Sequence, residues 1–97
     1  MTSKDIISEI NLMLTKSNFK HNYREFYIGS TDDIEKAYLD HNISKDKDWN
    51  VFYEANSIDM AREVVEHFRI MKMESDLSKI FGKYVYCYKI SMHTNEI

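Results

Sequence analysis

The chain has 97 residues, 43% hydrophobic and 13% aromatic, with a single cysteine and a net charge of −3. That is one domain, residues 1–97, burying roughly 60 to 65% of its unfolded surface, and it is too apolar for a disordered polymer. No signal-peptide pattern and no apolar run near the ~18 residues of a membrane span occur, so the expectations are a soluble, cytoplasmic protein without a membrane partner.

Thr2 and Asp5 have capping-box spacing ahead of Ile6, Ile10, Met13 and Leu14, which predicts a helix over 3–15. A polar stretch leads to a strand over 24–29, in which Phe26 and Ile28 face inward and Tyr27 faces the other way. Gly29 suits a special backbone conformation or a close approach that a Cβ would hinder. Thr31 as N-cap, with Asp32 and Asp33 at the positive end of the dipole, predicts a second helix over 32–41 carrying Ile34, Ala37, Tyr38 and His41 on one stripe.

After a lysine-aspartate loop, the alternation of Trp49, Val51 and Tyr53 predicts a strand over 49–54. Asn56 or Ser57 then caps the main core helix, 57–72, with Ile58, Ala61, Val64, Val65, Phe68 and Met71 as its apolar face. A short helix from Ser75 closed by Gly82 precedes a strand over 84–90. That strand puts Tyr84, Tyr86, Tyr88 and Ile90 on one face and Val85 and Cys87 on the other, the character of a central strand. Cys87 reads as an inert core thiol, and a lone cysteine excludes an internal disulfide.

The fold class is therefore α+β, a small mainly antiparallel three-stranded sheet packed by three main helices. Its expected core is Ile6, Ile10, Phe26, Ile28, Ile34, Val51, Ala61, Val65, Phe68 and Val85. No phosphate-binding glycine loop, Cys/His metal cluster or Ser/His/Asp order is present, and His21, His41, His67 and His93 lack ligand spacing.

Taken together, Tyr27-Ile28-Gly29, the helix ending at His41, the strand through Trp49 and the helix from 57 resemble the GIY-YIG nuclease superfamily over residues 19–73. In active members of that superfamily, tyrosines on neighbouring strands, an arginine and a histidine on the first helix, and a metal-binding glutamate surround the scissile phosphate. The resemblance implies vestigial catalytic positions at Tyr27 and His41. It places the arginine at Ala37, with Lys36 the neighbouring base, the metal glutamate at Val65, and the first tyrosine at Ser17 or Lys16. Only Glu66 or Glu63 is left to hold a metal.

Losing an arginine and a metal carboxylate removes groups each typically worth ~2.7 to 4 kcal/mol of transition-state stabilisation, and the metal more. The resemblance thus leans away from an enzyme, toward a catalytically degenerate domain that binds an unknown protein or self-assembles. Its supports are the aromatics Tyr84, Tyr86 and Tyr88, with Tyr23, Phe52 and Tyr53 elsewhere. One version is an acidic inhibitor using Asp32, Asp33, Glu35, Asp40, Asp46 and Asp48. One alternative is a divergent nuclease using Tyr27, His41, Lys36 and Glu66 or Glu63 with Mg2+ or Mn2+. Another is a non-catalytic nucleic-acid binder using Lys16, Lys20, Arg24 and Lys83. Residues 31–66, with four basic and ten acidic side chains, disfavour nucleic acid beside Tyr27.

Overall fold

The structure, a computed structural model, describes residues 1–19, 22–76, 78 and 82–96. It contains three helices, α1 (Ser3–Lys16), α2 (Ile34–Asp40) and α3 (Ile58–Ile70), and three strands, β1 (Phe26–Thr31), β2 (Asn50–Glu54) and β3 (Tyr84–Lys89). The strand order is β1-β3-β2, with β3 antiparallel to both neighbours. This is the expected α+β class, with the tyrosine-rich strand in the centre.

The two faces of the sheet are covered differently. On one, the i, i+4, i+8 stripe Ile6, Ile10 and Leu14 of α1 and the stripe Ala61, Val64, Val65 and Phe68 of α3 pack over Phe26, Ile28, Val85 and Cys87. This is the main apolar core, and burial pushes the Cys87 thiol up, which keeps it protonated and inert. On the other face, the short helix α2 lays Ala37 and Tyr38 against Tyr27, Tyr86 and Tyr88. Of the expected core residues, Ile34 and Val51 are only partly buried. Ile34 packs at the margin of the tyrosine cluster and Val51 lies on an edge strand.

Three local readings are corrected. Arg24 and Glu25 form a 3-10 turn with Tyr23 and do not belong to β1, because the Glu25 amide bonds back to the Asn22 carbonyl. Thr31 is the last residue of β1 and is not the N-cap of α2. The Asp33 carboxylate takes the Lys36 amide and starts the helix, while the Thr31 hydroxyl bonds Asp33. Neither glycine has a positive φ, so Gly82 is not a left-handed helix terminator. The helix expected to begin at Ser75 falls largely outside the described residues, as does Lys20.

The left-handed positions belong instead to Asn18, Asn42 and Lys72, at φ 61°, 56° and 84°. Each follows a helix and closes it with the same pair of bonds. Phe19, Ile43 and Met73 donate to the carbonyls of Leu14, Tyr38 and Phe68, and the left-handed residues donate to Thr15, Leu39 and Arg69. Asparagine tolerates this conformation, whereas lysine does so at a cost of about 1 kcal/mol relative to glycine. Lys72→Gly should therefore raise the melting temperature by roughly 4 to 8 °C, as measured by thermal denaturation.

Candidate functional site

The site is built where β1 and β3 cross the C-terminal end of α2. Register pairs Tyr27 with Tyr88 and Gly29 with Tyr86. Gly29 has no side chain because the Tyr86 ring lies across it: a Cβ there would stand 2.7 Å from the tyrosine Cζ and hydroxyl. With the ring pulled over the glycine, the Tyr86 hydroxyl lies 2.9 Å from Nε2 of His41. His41 is the C-cap of α2, held there by the left-handed turn at Asn42.

The second ring nitrogen faces two oxygens. Nδ1 of His41 lies 3.0 Å from the Tyr88 hydroxyl and also contacts the Asn95 carbonyl. The Tyr88 hydroxyl donates to the Glu96 carboxylate at 2.9 Å. A carbonyl needs a donor, so Nδ1 carries a proton, while Nε2 faces the Tyr86 hydroxyl. Tyr27 stacks on Tyr88 at 5.3 Å and tilts against His41 at 4.7 Å. Tyr38 donates to Oδ1 of Asn50 at 3.0 Å.

Burial, with the nearby negative charges of Asp76 and Glu96, pushes the Tyr27 phenol up to about 12, against opposing hydrogen bonds from the Asp76 backbone and Tyr86. Burial likewise raises Tyr38, Tyr86 and Tyr88. All four phenols are therefore neutral hydrogen-bond donors near pH 7, and a phenolate base lies further out of reach than for a free tyrosine.

Of the sequence-predicted site residues, Tyr27 and His41 come together, and both are buried. Lys36 is exposed on α2 and is not brought to them. Ala37, where the resemblance would place an arginine, is buried in the cluster with Tyr27, Tyr38, Tyr86 and Tyr88. Val65, at the position of the metal glutamate, is buried in the core on the opposite face of the sheet. Glu63 and Glu66 are exposed on α3, the helix that covers that opposite face. Among the described residues no three His, Cys, Asp or Glu side chains gather into a metal-binding group, and Glu63 and Glu66 lie away from Tyr27 and His41.

Lys16 and Ser17, where the resemblance places the first tyrosine, lie at the end of α1. The tyrosines beside Tyr27 are Tyr86 and Tyr88 of β3. These two were expected as part of an aromatic surface, yet they are 5% and 0% exposed, while Phe52 is 47% exposed. The sequence signal was the Tyr84-Tyr86-Tyr88 alternation; what it lacked was the long-range register that sets Gly29 opposite Tyr86. No protein-family model, curated protein or solved structure matches the chain.

A second polar group lies beside this one. His93 donates through Nε2 to Oδ2 of Asp48 at 2.8 Å, and the Ser91 hydroxyl is 2.9 Å from its Nδ1. This looks like a serine-histidine-aspartate relay, but the same oxygen is 3.5 Å from Nε2. An oxygen on the Nδ1 lone pair would stand far from Nε2, so the Ser91 hydroxyl lies over the ring and no proton relay exists. The contact is structural. Burial alone would raise the Asp48 carboxyl, but the Ser44 amide and the His93 imidazole outweigh it and hold it below the ordinary carboxylate value.

A depressed carboxylate contributes stability that is complete above the unfolded value of about 3.9 and is lost as pH falls through the folded one. Asp48→Asn should therefore lower the denaturation midpoint at pH 6 and reduce its fall between pH 5 and pH 2. Urea melts of both proteins across that range measure it.

The remaining candidates are dispersed. Asp33 is a helix cap and Asp48 is engaged, leaving Asp32, Glu35, Asp40 and Asp46 as exposed acids of the proposed inhibitor face. Lys83 pairs with Glu54 at 3.8 Å, just before β3, whereas Arg24 lies near the other end of the sheet, where Lys89 pairs with Glu25. These bases do not converge on one phosphate track. Among the described residues no helix is long and apolar enough to cross a membrane.

Proposed function

We infer that this protein is a catalytically degenerate GIY-YIG-like domain acting as a protein-binding or self-assembling module. The observation that carries the reading is Ala37. The α2 position where the resemblance calls for an arginine holds a methyl group, buried in one cluster with Tyr27, Tyr86 and Tyr88. With Val65 in the core on the far side, neither the arginine nor the α3 glutamate that the resemblance calls for is offered to a phosphate at Tyr27. The carboxylates of Asp76, Glu96 and Asp40 act on the same phenols.

A binding role is supported by the edge of the sheet. The Trp49 and Ala55 backbones bond to Lys89 and Lys83, so the alternating groups of Asn50, Phe52 and Glu54 point outward. The Met1 ammonium donates to the Glu54 carbonyl, and the Asn56 amide donates to the Met1 carbonyl. Half-exposed Phe52 stands on the rest of that edge.

The test is incubation with labelled single-stranded, duplex and branched DNA and with RNA, in magnesium or manganese. Two missing groups at ~2.7 to 4 kcal/mol each leave a rate at least 10⁴-fold below an active enzyme, so no cleavage is expected above a Tyr27→Phe control. Cleavage that disappears in Tyr27→Phe would overturn the reading.

A further inference from the structure

The segment Ser91–Glu96 leaves β3 and folds back over the tyrosine and histidine face. It is turned by its own residues: the Ser91 amide donates to the Thr94 hydroxyl at 2.9 Å, and that hydroxyl donates to the Ser91 carbonyl at 3.1 Å. The domain holds it mainly by its backbone. The Asn95 amide donates to the His41 carbonyl at 2.7 Å, and the Asn95 carbonyl takes Nδ1–H of His41. Nδ2 of Asn42 donates to the His93 carbonyl at 2.8 Å. Among side chains, the Glu96 carboxylate accepts from the Tyr88 hydroxyl at 2.9 Å, and His93 reaches Asp48. Thr94 is buried, while Met92 is fully exposed.

A core segment is held by interdigitating apolar side chains. This one is held by paired backbone groups and by two side-chain contacts, Glu96 to Tyr88 and His93 to Asp48, as a bound peptide is. We propose that the His41 and Tyr88 face is a binding site for a short peptide segment carrying a glutamate, that Ser91–Glu96 is its resident occupant, and that a partner protein supplies an equivalent segment in trans. The proposal deepens, and rests on, the reading of the domain as a binding module.

The chemistry of the face sets what it takes. The His41 carbonyl and Nδ1–H accept and donate to one residue's amide and carbonyl whatever its side chain, and the Tyr88 hydroxyl then selects a glutamate at the next position. A tethered occupant competes at an effective concentration of order millimolar, so the segment in trans gains access only when the resident one is loosened.

The test uses the full chain with Asn95→Pro and Glu96→Ala, which removes the amide bond to His41 and the carboxylate bond to Tyr88 but leaves the face intact. The probe is a blocked synthetic peptide, His-Thr-Asn-Glu-Ile, titrated while the amide and ring resonances of His41 and Tyr88 are followed by NMR. Saturable shifts at those two residues are expected, at least tenfold weaker with glutamine replacing the peptide's glutamate, and at least tenfold weaker on the unaltered chain. A folded variant that does not bind, or binds both peptides alike, overturns the proposal.

If the variant does not fold, hydrogen exchange of the unaltered chain decides. The Asn95 amide should exchange at least 100-fold faster than those of Val85 and Tyr86, through an opening that leaves the sheet whole. Exchange as slow as the strand's overturns the proposal. Nucleic-acid cleavage would remove the underlying reading, whereas absent peptide binding without cleavage removes only this site.

Discussion

Gly82→Ala is expected to lower the melting temperature by roughly 10 to 20 °C, a cost of about 2 to 3 kcal/mol. A Cβ on Gly82 would stand 2.3 Å from the carbonyl carbon and oxygen of Thr31 and from the Asp32 amide nitrogen. Those are backbone atoms at the end of β1 and the entrance to α2, and no rotamer change can clear them. The chain must either part there or shift α2, which carries Ala37, Tyr38 and His41 over the tyrosines. Thermal denaturation measures the loss. A melting temperature within 3 °C of the unaltered protein would show that the close approach is not maintained in solution. The contrast is Gly29→Ala. There the clash is with the far end of the Tyr86 side chain, which can give by breaking its bond to His41, so the damage falls on the site more than on the fold.

The second large effect is expected from His41→Ala. A histidine in an open catalytic site can be removed at little cost in stability, but this one is 6% exposed and bonds Tyr86, Tyr88 and Asn95. Its loss leaves the Asn95 carbonyl without the imidazole donor, removes the Tyr86 and Tyr88 hydroxyl contacts and opens a cavity between Tyr27 and α2. The expected cost is about 2 to 4 kcal/mol, measured by urea denaturation. Faster exchange of the Asn95 amide should accompany it. A variant as stable as the parent would mean that the imidazole is not part of the packed network.

The architecture was legible where a local pattern and burial coincide. Ile6, Ile10 and Leu14 are spaced for one helix face, and Ala61, Val64, Val65 and Phe68 for another, and each stripe is buried as spaced. The alternation of Tyr84 to Lys89 likewise announced two covered faces, hence a central strand. Boundaries failed where two residues of similar chemistry competed. Thr31 and Asp33 are both good caps, and the carboxylate wins because Thr31 is still paired with Tyr84 in the sheet.

The site was half legible. Tyr27 and His41 could be singled out from a local motif, but their partners come from residues 45 to 54 positions away from His41, and nothing in the sequence states that Gly29 would meet Tyr86 or that Asn95 would close on α2. Glycine opposite an aromatic ring is a register effect, invisible until the strands are paired.

Placing β3 between two strands that share no hydrogen bonds also governs how the protein is made. β1 and β2 have no hydrogen bonds to exchange until residues 84–89 arrive between them, so a nascent chain that has emerged as far as Met73 can form helices but no sheet. Both apolar strands must then wait, exposed, through synthesis of the intervening residues. The interval is a window in which chaperones and competing strand edges act on the chain, and one that slower translation after α3 would prolong.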